Sequence, residues 1–392
     1  MYELNGHRVS ASYSIEKLMW IRDHEPEIYA NTYKMLLAKD YIICRLTGEF
    51  VTDYSEASGP DAFDLHKMEW SGEILEAAEI EREKMPELHA SVDVIGKLTD
   101  DAAKALGLTR ETKVVCGGGD GPCSALGAGS FQNGQHFLSF GTSAWIAGTS
   151  DRVFLDKEKT LICFGHVITG KYMPCGTMQA AGSSYSYIRR ALCKEEEKIA
   201  KETGESVYEI LNRLVMESPA GARGLVFLPY LLGERSPRGN PDTSGSFLGI
   251  KMEHEKCDYV RAVLEGVAMN LDIILTAHRE NVSINELVLT GGGARGDVVA
   301  QILADILELP LYRLDNVESA TSIAAATIAG GGVGVFDDFS VVNQFVKREK
   351  VFEPNSENRE VYRKQKELFE MGYQCLKKYY DLEARVSCEQ TK

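Results

Sequence analysis

Three features of this 392-residue chain predict an α/β fold in two domains: short apolar runs that end in glycine, helical stretches between them, and a length that suits two cores. "KVVCGGG", "ELVLTGGG" and "PLYRL" read as buried strands, each followed by a segment of helical spacing. With 44% hydrophobic and 26% charged residues, the composition is that of a folded globular protein rather than a disordered one.

Taken in order, residues 15–47 carry apolar residues at helical spacing, and Gly48 can stop the last helix. Nothing before Ser14 has the look of an opening α/β strand. After the polar stretch "EFVTDYSEASGPDAFDLHKMEW", the segment "SGEILEAAEI" reads as a helix with Ser71 as N-cap. The strand "KVVCGGG" then turns into the small-residue helix "PCSALGAGS", which places Asp120 at a strand-to-helix turn. Beyond Gly129 the texture becomes strand-rich, so the domains are expected at 1–129 and 130–392. The second begins with "GQHFLSFGTSAWIAGTS" and "TLICFGHVITGKYMPCG", continues through a long helical stretch from about Ser183 to Met216, and reaches the strand "GLVFLPYLLG". A loop rich in proline and glycine, "ERSPRGNPDTSGSFLGI", leads to the helix "DYVRAVLEGVAMNLDIILTAHREN". Strand "ELVLT", helix "DVVAQILADIL", strand "PLYRL", helix "SATSIAAATIAGG" and a charged helix from Ser356 to about Tyr380 complete the chain.

A net charge of −15 opposes nucleic acid and anionic membrane surfaces as main partners, which leaves small molecules or proteins. Nine scattered cysteines with no C-x-x-C pair read as reduced thiols, and the N-terminus has neither a signal-peptide pattern nor a run of about 18 apolar residues, so a cytoplasmic location is expected. The eight histidines show no metal-ligand spacing. The last helix reads as an amphipathic surface helix.

Three glycine-rich turns follow strand-like runs: Gly117–Gly121, Gly141-Thr142-Ser143 and Gly291–Gly296. Such turns aim backbone N–H groups and a helix N-terminus at a ligand, which suits phosphate, although a tight connection alone also calls for glycine. "GGGARG", with Asp315 about 20 residues on, also satisfies the dinucleotide fingerprint, and read alone it points to an NAD-dependent oxidoreductase. Against that reading, the motif lies late in the chain and leaves Asp120 unexplained. Asp120 itself has two readings. It caps the helix that Pro122 begins, or it is a general base left bare among glycines so that a hydroxyl can approach in line with a γ-phosphate. Trp20 is expected to pack in the helix layer, with sugar stacking the alternative; Glu234 and Arg235 are expected at the surface, with a cleft rim the alternative.

Several dispersed stretches, in order, resemble the FGGY carbohydrate kinases, most closely the xylulokinase branch. "SYSIEKLMWIRDH" matches the family's first signature, and "GSFLGIKMEHEKCDYVRAVLE" matches the second except at Tyr259. "KDYIICRLTGEFVTDYSEAS", "GGGDGPCSALGAG", "SFGTSAW", "GLVFLPYLLGERSP" and "LTGGGARGDVVAQILADILELP" extend the similarity over nearly the whole chain.

The resemblance implies two actin-like (ribonuclease H-like) lobes around a cleft, with sugar mainly on the first and ATP mainly on the second. It further implies ATP-dependent phosphorylation of a sugar, most closely D-xylulose to its 5-phosphate, with Mg²⁺ arriving with the ATP. Asp120 falls on the catalytic base, which also contacts substrate. Gly141, Thr142 and Ser143 fall on the phosphate-contacting turn, Gly182 on a nucleotide-contacting glycine, and Gly291, Gly292 and Gly293 on the adenosine loop. Gly296 stands where relatives carry Ser or Asn, so a side-chain hydrogen bond to adenosine is absent there. The family's opening Asp-x-Gly-Thr strand-turn has no counterpart, so a truncated first lobe is expected. A catalytically impaired binding protein, one half of a split kinase with a separately encoded N-terminal partner, and a homodimer all stay open.

Overall fold

The computed structural model describes residues 1–315 and 319–390. Strands and helices alternate as an α/β chain should, and they gather into two compact units. Among the described residues, no helix is long and apolar enough to cross a membrane.

The first unit comprises Met1–Gln135, Ala147–Cys175 and Ser319–Lys347. The helical pattern of residues 15–47 resolves into helices Ser14–His24, Pro26–Asn31 and Ala38–Thr47, and Gly48 ends the last at φ 88°, a conformation that glycine adopts freely. Ser71 caps helix Gly72–Ala77 by accepting from the Ile74 amide at 3.3 Å. Strand Val51–Asp53 pairs in parallel with Glu87–His89, and Val94–Lys97 pairs antiparallel with Lys113–Val115. One core cluster gathers Ile43, Val51, Leu98, Val114 and Cys116.

A second cluster, with Cys123, Leu126, Phe131, Ala324 and Ile328, forms where helix Asp120–Gly127 packs on helix Ala320–Gly332. Small residues let these helices meet at backbone distance. A Cβ at Gly127 would stand 1.8 Å from the Ala320 carbonyl oxygen. Gly127→Ala should therefore separate the helices and cost about 1–3 kcal/mol, read as a lower midpoint in urea unfolding. An unchanged midpoint would contradict this close approach.

The second unit comprises His136–Ile146, Gly176–Glu318 and Arg348–Lys392. Its sheet places Leu287–Thr290 between His136–Phe140 and Leu311–Leu314, parallel to both. Arg348–Phe352 runs antiparallel along Leu311–Leu314 as a strand the sequence pattern did not predict. Helix Lys256–Arg279 is buried over most of its length, with Asp258, Arg261, Glu265, Asn270 and His278 buried along with its apolar residues. Gly266 lets it approach strand Val226–Leu228, since a Cβ there would lie 2.1 Å from the Phe227 carbonyl oxygen.

The stretch 183–216 is three helices, Gly182–Leu192, Lys194–Thr203 and Val207–Glu217, because Cys193 and the left-handed Gly204 interrupt it. The last helix, Arg359–Gln390, runs further than its pattern predicts and buries Tyr362, Phe369, Tyr373 and Tyr380. It is amphipathic as expected, with its aromatic face in the core of this unit.

Candidate active site

In the first unit, strand Lys113–Val115 leads through Cys116 and three glycines to Asp120, the first residue of its helix. The glycines are required by packing. A Cβ at Gly118 would lie 2.3 Å from Val167 Cγ1, and one at Gly119 would lie 2.9 Å from Glu56 Oε2. Gly117 has φ 73°. Stripped of side chains, the turn leaves the Asp120 carboxylate exposed, with Oδ1 accepting from the Gly121 amide at 2.6 Å. The N-cap of the helix is Gly119, so capping does not account for Asp120.

Asp120 opens onto a cavity of about 820 Å³ whose lining includes Lys39, Glu56, Lys113 and Thr321. Behind the wall, Asp53 is fully engaged: it accepts from Ser55 and Ser91 hydroxyls and pairs with Lys39 Nζ at 3.1 Å. The Ser55 hydroxyl in turn accepts from the Gly119 amide at 3.0 Å, so this network fixes the turn that presents Asp120. Burial pushes the Glu56 carboxyl up to about 7, with Asp40, Asp53 and Asp120 adding to the shift and Lys39 opposing it. The same burial pushes the thiols of Cys116 and Cys123 up to about 12, so both are neutral near pH 7.

The second unit holds the remaining predicted residues, with Gly291 and Gly293 against Phe140, Gly182 against Gly141 and Gly296 against Asn212. The parallel register sets Thr290 beside Ser139, so Gly291 follows its strand at the level of Phe140. Gly291 has φ 89°, and a Cβ there would lie 2.6 Å from the Phe140 carbonyl oxygen; one at Gly293 would lie 2.4 Å from the Phe140 ring. Gly292 faces open space. The next residues, Gly141-Thr142-Ser143, form the turn between two strands, with both hydroxyl residues exposed. The Gly182 amide donates to the Gly141 carbonyl at 3.0 Å, and the Thr142 carbonyl accepts from the Ala181 and Ser183 amides at 3.1 and 3.0 Å. Gly296 is the N-cap of helix Asp297–Leu307, and a Cβ there would meet Asn212 Nδ2 at 2.9 Å. The Asn212 amide thus occupies the space that a side chain at 296 would need.

Two expectations change. Trp20 is 56% exposed and stacks on His24 rather than packing inward, because helix Ser14–His24 buries only Ile15 and Leu18. Glu234 is buried, not at the surface: it accepts from the Gln179 and Arg235 amides at 2.9 Å each and from Asn270 Nδ2 at 3.0 Å, while Arg235 is exposed. Burial pushes its carboxyl up to about 8 against these hydrogen bonds. Glu56 and Lys39 carried no predicted role. The glycine before Asp120 was the one available clue to Glu56, since it marks a close neighbour.

Among the described residues, no group of three His, Cys, Asp or Glu side chains is placed to hold a metal ion.

Residues 1–127 match the N-terminal domain and residues 143–330 the C-terminal domain of the FGGY family of carbohydrate kinases. The chain is 34% identical over 372 residues to the xylulose kinase of Staphylococcus epidermidis, covering 94% of this chain and 73% of that one. The ligand-bound xylulose kinase of Lactobacillus acidophilus superposes with a TM-score of 0.89 at 29% identity, covering 97% of this chain and 75% of that one. The gluconate kinase of the same organism gives 0.88 at 29% identity, with 96% and 74% covered. The actin-like α/β fold expected from the resemblance is therefore the fold of this chain.

The same matches overturn the oxidoreductase alternative. The strand, turn and helix from Leu287 to Leu307 do have the form a dinucleotide fingerprint requires, with Asp315 just past the next strand. Form alone does not distinguish nucleotides, because both kinds of site use glycine to bring backbone near phosphate. By sequence and by fold alike, the chain belongs to the FGGY family of carbohydrate kinases.

Proposed function

We propose that this kinase transfers the γ-phosphoryl group of ATP to a hydroxyl of a ketose, most closely D-xylulose, with Asp120 as general base. The observation that carries the reading is the exposed Asp120 carboxylate lining a cavity of about 820 Å³, on a turn without side chains. The substrate hydroxyl gives its proton to Asp120 as its oxygen attacks phosphorus. Phosphoryl transfer of this kind relies mainly on positioning and charge stabilisation. Backbone N–H groups and hydroxyls of Gly141, Thr142 and Ser143 meet the phosphates, Gly182 supports that turn, and Gly291, Gly292, Gly293 and Gly296 receive the adenosine. Mg²⁺ bound with ATP supplies neutralisation of phosphate charge.

The nucleotide assignment has its own test. A Cβ at Gly182 would lie 2.4 Å from the Gly141 carbonyl oxygen, so Gly182→Ala must displace the phosphate turn. Calorimetric titration should show ATP affinity reduced at least about tenfold, or 1.4 kcal/mol. Wild-type affinity in that variant would remove the turn from the site.

The proposed reaction is tested by ADP release with ATP and Mg²⁺ over a panel of D-xylulose, D-ribulose, glycerol and D-gluconate. D-xylulose is expected to give the highest kcat/KM. ATP binding without sugar-dependent ADP release would instead assign this chain a binding role.

A further inference from the structure

Two carboxyl groups line the cavity, and phosphoryl transfer needs only one of them as a base. Glu56 is the second. It lies on the short helix Tyr54–Ala57, where its backbone amide donates to Asp53 Oδ1 at 3.4 Å and holds that turn in place. Its Oε2 sits close against the backbone of Gly119, one residue before Asp120, because Gly119 has no side chain. Among the described residues, nothing donates a hydrogen bond to the Glu56 carboxylate, although it is only partly exposed. The carboxylate lines the cavity and keeps access to solvent there, so it can accept from a hydroxyl of a ligand bound in it.

The cations at the cavity do not supply that donor. The Lys39 ammonium pairs with Asp40 Oδ1 at 2.8 Å and Asp53 Oδ1 at 3.1 Å and donates to the Cys116 carbonyl at 3.4 Å. Lys113 sits on an exposed position of its strand, where solvent and salt screen its charge. A ligand inside therefore meets two acids and no free buried cation.

We infer that Glu56 sets the substrate class, accepting a hydroxyl of a neutral polyol and excluding a sugar acid from the Asp120 cavity. This rests on the cavity being the sugar site, as proposed above. A neutral ketose offers hydroxyl donors to both carboxylates. An aldonate brings a third negative charge into the same space, and like charges brought together weaken binding strongly.

The pH dependence has a definite sign. Burial pushes the Glu56 carboxyl up to about 7, while Lys39 and Asp40 on one helix, Asp53 on the adjoining strand and Asp120 on another helix act on it, and Lys113 also lines the cavity. Above that pH the second acid is charged and exclusion is strongest; below it Glu56 is neutral and exclusion weakens.

Calorimetric titration of the full chain with D-xylulose and with D-gluconate, at pH 6 and pH 8, tests this without requiring turnover. Wild type is expected to prefer D-xylulose at least about tenfold at pH 8, and less at pH 6. Glu56→Gln should bring the two affinities within about threefold and remove the pH dependence, whereas Glu56→Asp, which keeps the charge, should retain the preference. Equal binding of both sugars by wild type, a preference that does not change with pH, a preference that survives in Glu56→Gln, or binding of neither sugar would overturn the inference. Retained discrimination without ADP release would instead count against the phosphoryl-transfer reading alone, so the two failures are distinguishable.

Discussion

Asp120→Asn is expected to lower turnover at least about a hundredfold, the usual scale for a positioned base, while ATP affinity stays within about twofold. The two side chains have nearly the same shape. The asparagine amide keeps an oxygen that can accept from the Gly121 N–H, as Asp120 Oδ1 does now, so the turn should hold its geometry. What is lost is the capacity to take up the hydroxyl proton. The turns proposed to meet the nucleotide are built from other residues, near Phe140 in the second unit, and have no reason to change. Folding should change little. The helix keeps Gly119 as its N-cap, and loss of one acid from its first turn costs about 0.3–1 kcal/mol. Steady-state ADP release and calorimetry on the same preparation give both quantities. Wild-type turnover in the variant would remove Asp120 from the mechanism.

Glu234→Ala is expected to destabilise the chain by about 3 kcal/mol or more, because it strands three donors at a buried site. The Gln179 and Arg235 amides and Asn270 Nδ2 all donate to this carboxyl. Glu234→Gln should behave in the opposite way. Among the described residues Asn270 Oδ1 has no hydrogen-bond partner, so a half-turn of its amide lets it accept from the new glutamine.

The dependence on pH follows from the raised carboxyl. The folded chain holds the Glu234 proton to about pH 8, against 4.5 when the group is solvated. The stability that this proton contributes is fully present below pH 4.5 and is lost as pH rises through about 8. Glutamine never ionises. The melting temperature of Glu234→Gln relative to wild type should therefore rise between about pH 5 and about pH 9, and a constant difference would contradict a protonated Glu234 in the fold.

These two acids show which features could be read from the sequence. The strand-to-helix turn that carries Asp120 was legible because its signals are local: a short apolar strand, three glycines and a helix start all lie within a few residues of it. Glu234 was not, because the amide of Gln179 and the side chain of Asn270 reach it from distant parts of the chain, and in sequence it is only a charge beside a loop of prolines and glycines. Glu56 belongs with Glu234, since its contact with Gly119 spans more than sixty positions.

The same division holds for the elements. Leu287–Thr290 and Leu311–Leu314 are inner strands with apolar sequences and were predicted; Arg348–Phe352 is an edge strand carrying Arg348, Glu349 and Lys350, charges that blunt an edge and also hide its pattern. Trp20 suggested burial through its size alone. The fold leaves it on the outer face of its helix.

The proposed reaction requires a sugar hydroxyl to lose its proton at Asp120 as phosphate is transferred, and ketose-stimulated ADP release tests it most directly. Wild-type chain supplied with ATP, Mg²⁺ and D-xylulose should release ADP well above the rate without sugar, and the Asp120→Asn chain should fall to that background. No stimulation by any ketose, or stimulation that persists in the variant, would contradict it.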